Sequence, residues 1–541
     1  MNTPDSPARF PTFRRLKNTL FSRRSARAVL FIFICFVTLV ALFYAIENYR
    51  GRSKWNEYRR EAEARGVVFD FAKLVPSKIP DAENFAATPF VRLLFQFPTN
   101  RSDQAAMQAR ETAISNRWPA TRGAVDSHII LPTQNERRFL DLVAQQQAWA
   151  AFHSGSKDRF EVRDRTSVVR AAAARDVLKE LEIFQSVLNE FRTNLPRPKA
   201  QYPVNYLLDD PFSILLPHLG KIKTMCNELM FQSSAELAIN DADTAFNDVM
   251  LLLRLADSAG EEEFIISHLV RVACLQLASQ PIWEGIAKHQ WSDAQLAKLR
   301  DHFLEYNFGA DFSRCFAGER AASISFIDSL RRKGNAGDAL GIVMLPDSGQ
   351  VIPGDQRALA NFLSKLAPRG WYELEMLNYC RHFDQQRFSE PALQFDLADL
   401  RKRSSEMERE LAGGTISSIL HHKFFARLMF PAISRITVKV NLGQTLANQV
   451  STACALEQYR LAHGEFPESL DKLVPQYLKA APRDFFSNGP LKYQRTAKDG
   501  FALYSIGANE KDDGGKPGKT LFDEQNGDWI WSCPPKVTTG E

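Results

Sequence analysis

The amino-acid sequence predicts a mainly α-helical protein with one transmembrane helix near its N-terminus and a small α/β module at its C-terminus. Three features of the sequence lead to this fold class. An uncharged apolar run lies near the start, helical spacing of apolar residues dominates the middle, and a long amphipathic pattern followed by short strand-like runs occupies the end. We therefore expect an anchor, an irregular α-helical body, and a long helix packed on a three-stranded antiparallel sheet.

Composition excludes several classes of protein. The chain has 541 residues, of which 45% are hydrophobic and 24% are charged. This balance is too apolar for a disordered protein and too charged for a protein that crosses a membrane many times. Seven cysteines are too few for a small scaffold held together by disulfides. At roughly 100–200 residues per domain, the chain is expected to form about two to four domains.

The positive charge of the protein is concentrated in its N-terminal tail. The formal net charge is +5, and residues 1–27 contain seven basic residues and one acidic residue. The remaining 514 residues therefore carry a net charge of −1. A nucleic-acid-binding body would be expected to carry its own basic excess, so we predict no nucleic-acid partner.

A membrane anchor is predicted directly after this tail. Residues 28–46 are 19 consecutive residues without a charge, a proline or a glycine. As a helix they would span about 28 Å, close to the thickness of a bilayer core. A buried core helix and a cleaved signal peptide are the alternatives, but a signal peptide would have a shorter apolar region and a small-residue cleavage site. We expect an uncleaved, single-pass signal anchor that contacts the lipid bilayer through residues 28–46.

The distribution of basic residues predicts the orientation of this anchor. Six basic residues and no acidic residue lie between Arg14 and Arg27, whereas five basic residues alternate with acids between Glu47 and Glu61. A first helix with a short basic tail usually leaves that tail in the cytoplasm. We therefore expect residues 1–27 to be cytoplasmic and residues 47–541 to be periplasmic or otherwise extracytoplasmic.

The body of the protein is predicted to be helical. Residues 54–65 are highly charged and should continue the anchor as a stalk, and three prolines between positions 76 and 89 should then interrupt the chain. Residues 47–102 are thus interpreted as stalk and linker, and residues 103–430 as the body. Within the body the pattern predicts helices at 167–192, 222–237, 242–256 and 262–287.

Three local signals within the body predict turns and helix ends. Asn240-Asp-Ala-Asp243 lies between two apolar stretches and predicts a helical hairpin. Ser292 and Gln295 have the spacing of a capping box. Residues 332–356 contain five glycines and two prolines, which predicts a long surface loop.

The C-terminal module, residues 431–541, combines a long helix with a small sheet. Apolar residues recur every three or four positions within 433–463, and Gly464 is placed to end that helix. A short helix is expected at 468–473. Strand-like runs follow at 491–496 and 501–506, with a turn at 497–500, and residues 528–531 could form a third strand.

Several motifs of this module resemble the major pseudopilin of type II secretion systems. The matching stretches, which agree in order and spacing between residues 440 and 535, are Ala455-Leu-Glu-Gln-Tyr459, His463-Gly-Glu-Phe-Pro467, Ser469-Leu470, Leu473, Tyr504-Ser-Ile-Gly507, Asp513-Gly-Gly515 and Asp528. The resemblance implies a long helix packed on an antiparallel sheet, and a calcium ion in the loop before the last strand. It also implies a partner in a secretion-type or pilus-like assembly.

The chain departs from the pseudopilin pattern in one respect. Its long helix lies far inside the chain and carries Arg435 and Lys439. Insertion of these charges into a bilayer would cost free energy, so we do not expect this helix to cross a membrane. We also do not expect the protein to polymerise as a pilin does. The overall layout, including Ile79-Pro-Asp-Ala-Glu-Asn84, resembles large membrane-anchored proteins of planctomycete- and verrucomicrobia-type bacteria. This second resemblance implies a type of organism and no activity.

A cluster of acidic residues is the candidate metal site. Asp512, Asp513, Asp523, Glu524 and Asp528 lie within 17 residues of a glycine-rich loop. Calcium needs several oxygen ligands from a loop that can wrap around it. The acidic positions of the pseudopilin family correspond best to Asp512, Asp513 and Asp528, which are the predicted calcium ligands; the alternative is a solvated acidic loop.

No catalytic residue is predicted. Residues 514–520 differ from a P-loop because Asp513 stands where the first glycine is required. Glu319 lies on an apolar helical stretch and could act as a general acid, as in glycan-cleaving enzymes. A buried structural pair of Glu319 with Arg320 is the simpler interpretation.

Three functional hypotheses are consistent with the sequence. The first is an extracytoplasmic scaffold or interaction protein that docks to a secretion-type assembly through residues 440–535. The alternative is an envelope enzyme, a glycan-directed hydrolase or lyase, with its site in the helical body; it requires a pocket of convergent ionisable groups. The third is a C-terminal module that only stabilises the chain by binding calcium.

Overall fold

The computed structural model describes residues 23–98, 103–119, 136–154, 167–206, 208, 210–335, 358, 361–362, 364–386, 397–412, 415–487 and 489–533. It is mainly α-helical with one small sheet, which confirms the predicted fold class. The helices in chain order are α1 Arg23–Ala64, α2 Pro89–Leu94, α3 Gln104–Arg117, α4 Leu142–Ser154, α5 Ser167–Leu181, α6 Gln185–Asn194, α7 Pro217–Ala238, α8 Ala242–Gly260, α9 Ile265–Ala287, α10 Asp293–Leu304, α11 Phe308–Lys333, α12 Arg369–Gln385, α13 Leu397–Leu411, α14 Thr415–Leu420 and α15 Phe424–His463.

The chain divides into two compact units. We call the first the anchor unit, which consists of Met1–Val67, Ile327–Cys380 and Gly414–Phe425. The second is the main unit, which consists of Val68–Phe326, Arg381–Gly413 and Ala426–Glu541. The N-terminal tail before residue 23 and most of the predicted 332–356 loop lie outside the described residues.

Helix α1 joins the apolar run to the charged stalk without a break. It is 42 residues long and includes residues 54–64 of the predicted stalk. The large apolar side chains between Val29 and Ile46 are exposed. Within the described part of the chain, this is the one helix that is long and apolar enough to cross a membrane.

The core of the main unit is built on the antiparallel pair α7 and α8 and the crossing helix α9. Asn240 adopts a left-handed conformation (φ 64°), and the Asp241 carboxylate accepts the N–H of Thr244 at 3.2 Å. These two residues reverse the chain and begin α8, so the hairpin predicted at this point is present. The capping box of Ser292 and Gln295 is also present at the start of α10.

Two of the predicted helices differ most from the structure in their bounds. The single helix expected at 167–192 is divided into α5 and α6 by a 3₁₀ turn at Glu182–Phe184. Helix α15 begins at Phe424 rather than at 433. Proline removes one helical hydrogen bond, but the helix continues through Pro431.

The C-terminal module contains the predicted three-stranded sheet. Strands β1 Lys492–Ala497, β2 Gly500–Ser505 and β3 Trp529–Cys533 are antiparallel neighbours in that order. Gly464 ends α15 in a left-handed conformation (φ 78°). Its N–H donates to the carbonyl of Arg460 at 2.8 Å, which is the helix ending that a glycine at this point predicts.

Helix α15 packs on the helices of the body. The Gln458 side chain donates to Asp293 Oδ1 at 2.7 Å, and the Trp283 indole donates to the carbonyl of Ser532 at 2.6 Å. Glu457 is fully buried and lies 2.9 Å from His289 Nδ1. Residues 457 and 458 of α15 are therefore part of the interface with α10 and with the turn that precedes it, and β3 contacts α9.

None of the seven cysteines, all of which lie in described segments, forms a disulfide. Cys35 is exposed on α1, and the other six are buried. Burial raises the pKa of the Cys454 and Cys533 thiols, that of Cys533 to about 12, so both are protonated at neutral pH. The buried thiols pack as small apolar groups.

Candidate functional site

An open cleft of about 430 Å³ lies in the main unit between residues 75–92 and residues 201–206. Its volume falls in the range of roughly 300–1,000 Å³ that small-ligand sites occupy. Ile79, Asp81 and Asn84 line it.

Asn84 shapes the cleft by bridging its two walls. Its Nδ2 donates to the carbonyl of Gln201 at 2.8 Å, and its Oδ1 accepts the N–H groups of Gln201 at 2.8 Å and Ala86 at 3.0 Å. The Gln201 side chain in turn accepts the N–H of Ile79 at 3.0 Å and donates to the carbonyl of Ser77 at 3.1 Å. The backbones of the two walls are paired only by an isolated β-bridge between Asn84 and Lys199. Side-chain hydrogen bonds therefore hold the walls together in place of a β-ladder.

The cleft has an apolar floor and a charged rim. Ile79 and Val204 are half-buried on the floor. On the rim, Arg92 Nη2 lies 2.7 Å from Asp81 Oδ2, and Lys78 is exposed. A ligand with an apolar group and a negative charge is complementary to this surface.

Two buried tyrosines form one wall. The Tyr202 hydroxyl lies 2.7 Å from Ser258 Oγ, and its ring stacks on His218 with centroids 4.0 Å apart. Burial raises the pKa of both Tyr202 and Tyr206. Both phenols are therefore neutral at physiological pH.

A network of buried polar side chains lies behind this wall. His218 Nε2 is 3.0 Å from Glu262 Oε1, and the Ser267 hydroxyl donates to the other oxygen of the same carboxylate. The serine is thus bonded to the carboxylate instead of the imidazole, and His218 and Ser267 are almost fully buried. Nucleophilic catalysis needs a serine bonded to its base and open to substrate, so this network has a structural role.

Glu319 lies apart from the cleft. Its side chain is half-buried on α11, and burial raises its pKa to about 7. The expected pair with Arg320 is wrong, because Arg320 Nη1 lies 3.4 Å from Asp384 Oδ1 instead. Consecutive residues of a helix point in directions about 100° apart. The side chains of Glu319 and Arg320 therefore do not face each other.

The backbone of Glu263 lies against the turn of α11 that carries Glu319. A Cβ atom built on Gly318 would stand 2.6 Å from the carbonyl oxygen of Glu263, which places the Glu263 backbone against this turn of α11. The Cys315 thiol interacts electrostatically with both Glu263 and Glu319, and its pKa is raised mainly by burial. Glu263 is paired with Arg314 at 3.5 Å. No sequence pattern could have joined residue 263 to residue 319.

The predicted calcium ligands lie in one loop and are engaged by protein groups. Asp528 is buried, and its two oxygens accept the N–H groups of Asp513 at 3.2 Å and Gly515 at 2.6 Å. Asp512 pairs with Lys492 at 3.3 Å, and Asp513 accepts the amide of Asn509 at 3.0 Å. Among the described residues, no three acidic, histidine or cysteine side chains converge on one point. These carboxylates act here as acceptors that hold the loop, and calcium binding stays a prediction.

The cleft could not be predicted from the sequence alone. In the sequence neither Asn84 nor Gln201, its partner 117 positions later, lies in a local pattern that predicts a cleft. Neither a protein-family model, nor a curated protein, nor a solved structure significantly matches the chain.

Proposed function

We propose that this protein is a single-pass, membrane-anchored scaffold or interaction protein of the bacterial cell envelope. In this proposal residues 1–27 are cytoplasmic, residues 28–46 cross the inner membrane, and residues 47–541 are extracytoplasmic. The observation that carries it is the cleft between residues 75–92 and 201–206. The side chains of Asn84 and Gln201 shape the groove, and its floor is apolar. Such a surface binds by complementarity.

The charge on the rim favours a particular partner segment. Asp81 is already neutralised by Arg92, which leaves the exposed Lys78 to meet an anionic group. The half-buried Ile79 and Val204 can receive an apolar side chain. We therefore expect an extended segment with an apolar residue next to an acidic one.

A second contact is proposed for the C-terminal module, with a type II secretion-like or pilus-like assembly. The buried Glu457 and Gln458 cannot face an external partner. Strand β1 is an edge of the sheet, and its residues Lys492, Gln494 and Thr496 are exposed. Edge strands are a common surface for pairing with another chain, so we place the docking surface there.

A cross-linked pull-down from native membranes tests the cleft. Ile79→Asp inserts a charge into the apolar floor and leaves the backbone N–H bond to Gln201 intact. Ile183→Asp changes an isoleucine that is 54% exposed on another surface of the main unit and is the matched control. We expect envelope proteins captured by the wild type to be lost with Ile79→Asp alone. Equal capture by all three proteins would contradict the role of the cleft.

The same capture tests the C-terminal module. Deleting residues 440–541 would strip the partner surface from α9 and α10, so surface variants are preferable. Gln494→Arg and Thr496→Arg place bulky charges on the exposed side of β1. Secretion or pilus components that disappear with these variants, and persist with Ile79→Asp, support docking through β1. If no captured protein depends on β1, the proposed association with a secretion assembly is wrong.

The enzyme alternative rests on Glu319. A carboxyl whose pKa is raised to about 7 can hold a proton at neutral pH, as a general acid in glycan cleavage requires. Incubation of the purified protein with envelope glycan, followed by measurement of new reducing ends, tests this function. Release that is abolished by Glu319→Gln would replace the scaffold proposal. Absence of release by the wild type would remove the alternative.

A further inference from the structure

Part of the anchor unit packs against α1 at the end of its apolar run. We call residues 361–362, 364–372 and 415–422 the collar. The Tyr44 hydroxyl donates to the carbonyl of Leu366, and the Phe43 ring meets the edge of Trp371 at 6.3 Å. The Trp371 indole donates to Glu47 Oε2 at 3.0 Å. The collar therefore contacts α1 along residues 43–47.

Backbone contacts determine the position of the collar along the axis of α1. The N–H of Gly370 donates to Asn48 Oδ1 at 2.8 Å. A Cβ atom on Gly370 would stand 2.1 Å from the carbonyl oxygen of Glu47, and one on Gly51 would stand 2.2 Å from the carbonyl oxygen of Gly370. His422 adds a contact to Arg50 at 3.2 Å. Because the two backbones touch, the collar cannot slide along α1 without losing this packing.

The contact with Tyr44 determines the depth of Leu366. Tyr44 belongs to the apolar run 28–46, two residues before its end. When that run fills the hydrocarbon core, a residue bonded to Tyr44 lies at the boundary between acyl chains and headgroups. Glu47 and Arg50, which form an ion pair of 2.9 Å, mark the polar side of this boundary.

The collar exposes the residue types that this boundary favours. Four large apolar side chains of the collar are exposed by 41–59%: Phe362, Leu366, Ile419 and Leu420. Lys365 and Arg369 are exposed beside Leu366. Apolar side chains that reach the acyl chains, basic groups at the phosphates, and tryptophan and tyrosine at the headgroups are typical of protein surfaces at a membrane interface.

We propose that the collar is a second membrane-contacting surface of this protein. It lies in the lipid interface of the leaflet from which α1 emerges, with Phe362, Leu366 and Leu420 among the outer acyl segments and Lys365 and Arg369 at the lipid phosphates. The occupant is lipid because the surface is continuous with the apolar run through the Tyr44–Leu366 contact. This inference rests on the proposed membrane anchoring by residues 28–46.

Depth-dependent quenching of a fluorescent label tests the collar in the full-length protein. In a Cys35→Ser background the remaining native thiols are buried, so single cysteines introduced at Phe362, Leu366 or Leu420 can be labelled with an environment-sensitive dye. The protein is reconstituted into vesicles of phosphatidylethanolamine and phosphatidylglycerol, with and without doxyl-labelled lipid. Phe36→Cys is the positive control for the span. Glu57→Cys, about 20 Å further along α1 than Tyr44, is the negative control.

The outcomes separate the collar from the anchor. We expect blue-shifted emission at positions 362, 366 and 420 and a loss of emission to doxyl lipid comparable to that at position 36, with no loss at position 57. Water-like emission at the three positions, with quenching retained at 36, overturns the collar and leaves the anchor. A blue shift without doxyl quenching means that another protein chain covers the collar, which also overturns the proposal. Absence of quenching at position 36 overturns both.

Discussion

At the scale of single residues, the ionisation of Glu319 is coupled to the stability of the fold. Burial raises its pKa from 4.5 to about 7, so between these pH values the native state binds more protons than the unfolded state. The free energy of unfolding therefore falls as pH rises from about 4.5 to about 7, relative to a chain without this carboxyl. The cost is fully present above pH 7 and absent below pH 4.5.

We expect Glu319→Gln to stabilise the protein at pH 8 and to have little effect at pH 4.5. The expected gain at pH 8 is on the order of 1–2 kcal/mol, because the side chain is only half-buried. Urea unfolding at both pH values measures it, and Glu305→Gln, at an exposed glutamate of the main unit, is the matched control. A stability difference that does not change with pH would contradict the raised pKa.

The predicted metal ligands differ from one another in what they do without metal. Asp528 is buried and accepts two backbone N–H groups, whereas Asp512 is exposed and pairs with Lys492. Asp528→Asn should lower the melting temperature even in chelator, because at least one of these acceptors is weakened. Asp512→Asn should mainly reduce any calcium-dependent increase in the melting temperature.

Calorimetric melting with EDTA and with added calcium separates these effects. The pseudopilin resemblance predicts a higher melting temperature in calcium for the wild type and a smaller increase for Asp512→Asn. Equal melting temperatures of the wild type in EDTA and in calcium would remove the metal prediction, and the two Asp528 acceptor bonds would remain as the function of that residue.

At the scale of elements, the backbones of α1 and α12 make close contact at Gly51 and Gly370. Gly370→Ala would place a methyl group 2.1 Å from the backbone oxygen of Glu47, and backbone atoms cannot rotate away. We expect a loss of about 2 kcal/mol or more from this overpacking, measured by thermal unfolding in detergent. Gly220→Ala in α7 is the control, since no group outside the local helix backbone lies within 4 Å of a Cβ atom at that position and alanine is the better helix former. Equal stability of the two variants would contradict the close contact.

The packing of α15 on the body depends on a buried charge. Glu457 is fully buried, accepts two hydrogen bonds from Arg460, and lies 2.9 Å from His289. Glu457→Gln keeps the shape but weakens these charge-assisted bonds, so we expect a loss of about 2–3 kcal/mol. Guanidinium unfolding measures the loss, and Glu465→Gln, whose side chain is 46% exposed, is the control. A loss below about 0.5 kcal/mol would show that the interface does not need this charge.

For the whole molecule, the order of elements could be predicted from the sequence and their assembly could not. Periodicity and end signals such as Ser292, Gly464 and the Asn240 turn are local, so the helices α7 to α10 and the sheet were anticipated. The cleft depends on Asn84 and Gln201, which are 117 positions apart. The collar depends on Tyr44 and Leu366, which are 322 positions apart. Neither pair leaves a local pattern.

The orientation of the whole chain makes a direct prediction. With residues 47–541 outside the cytoplasm, a cysteine introduced at Glu57 should react with a membrane-impermeant maleimide in intact spheroplasts. A cysteine introduced at Ser6 should react only after the membrane is broken. Alkaline carbonate should not extract the protein, because the apolar run is held by the bilayer core. The opposite labelling pattern would invert the proposed topology.

The alkylation rates of the six buried thiols report local opening of the protein. Each can be alkylated only when the segment around it transiently separates from its neighbours, so its labelling rate measures the population of that open state. Cys226 and Cys274 sample the helices α7 and α9, whereas Cys454 and Cys533 sample α15 and β3. Mass spectrometry of timed alkylation can therefore determine whether the C-terminal module opens before the body, without adding a single foreign probe.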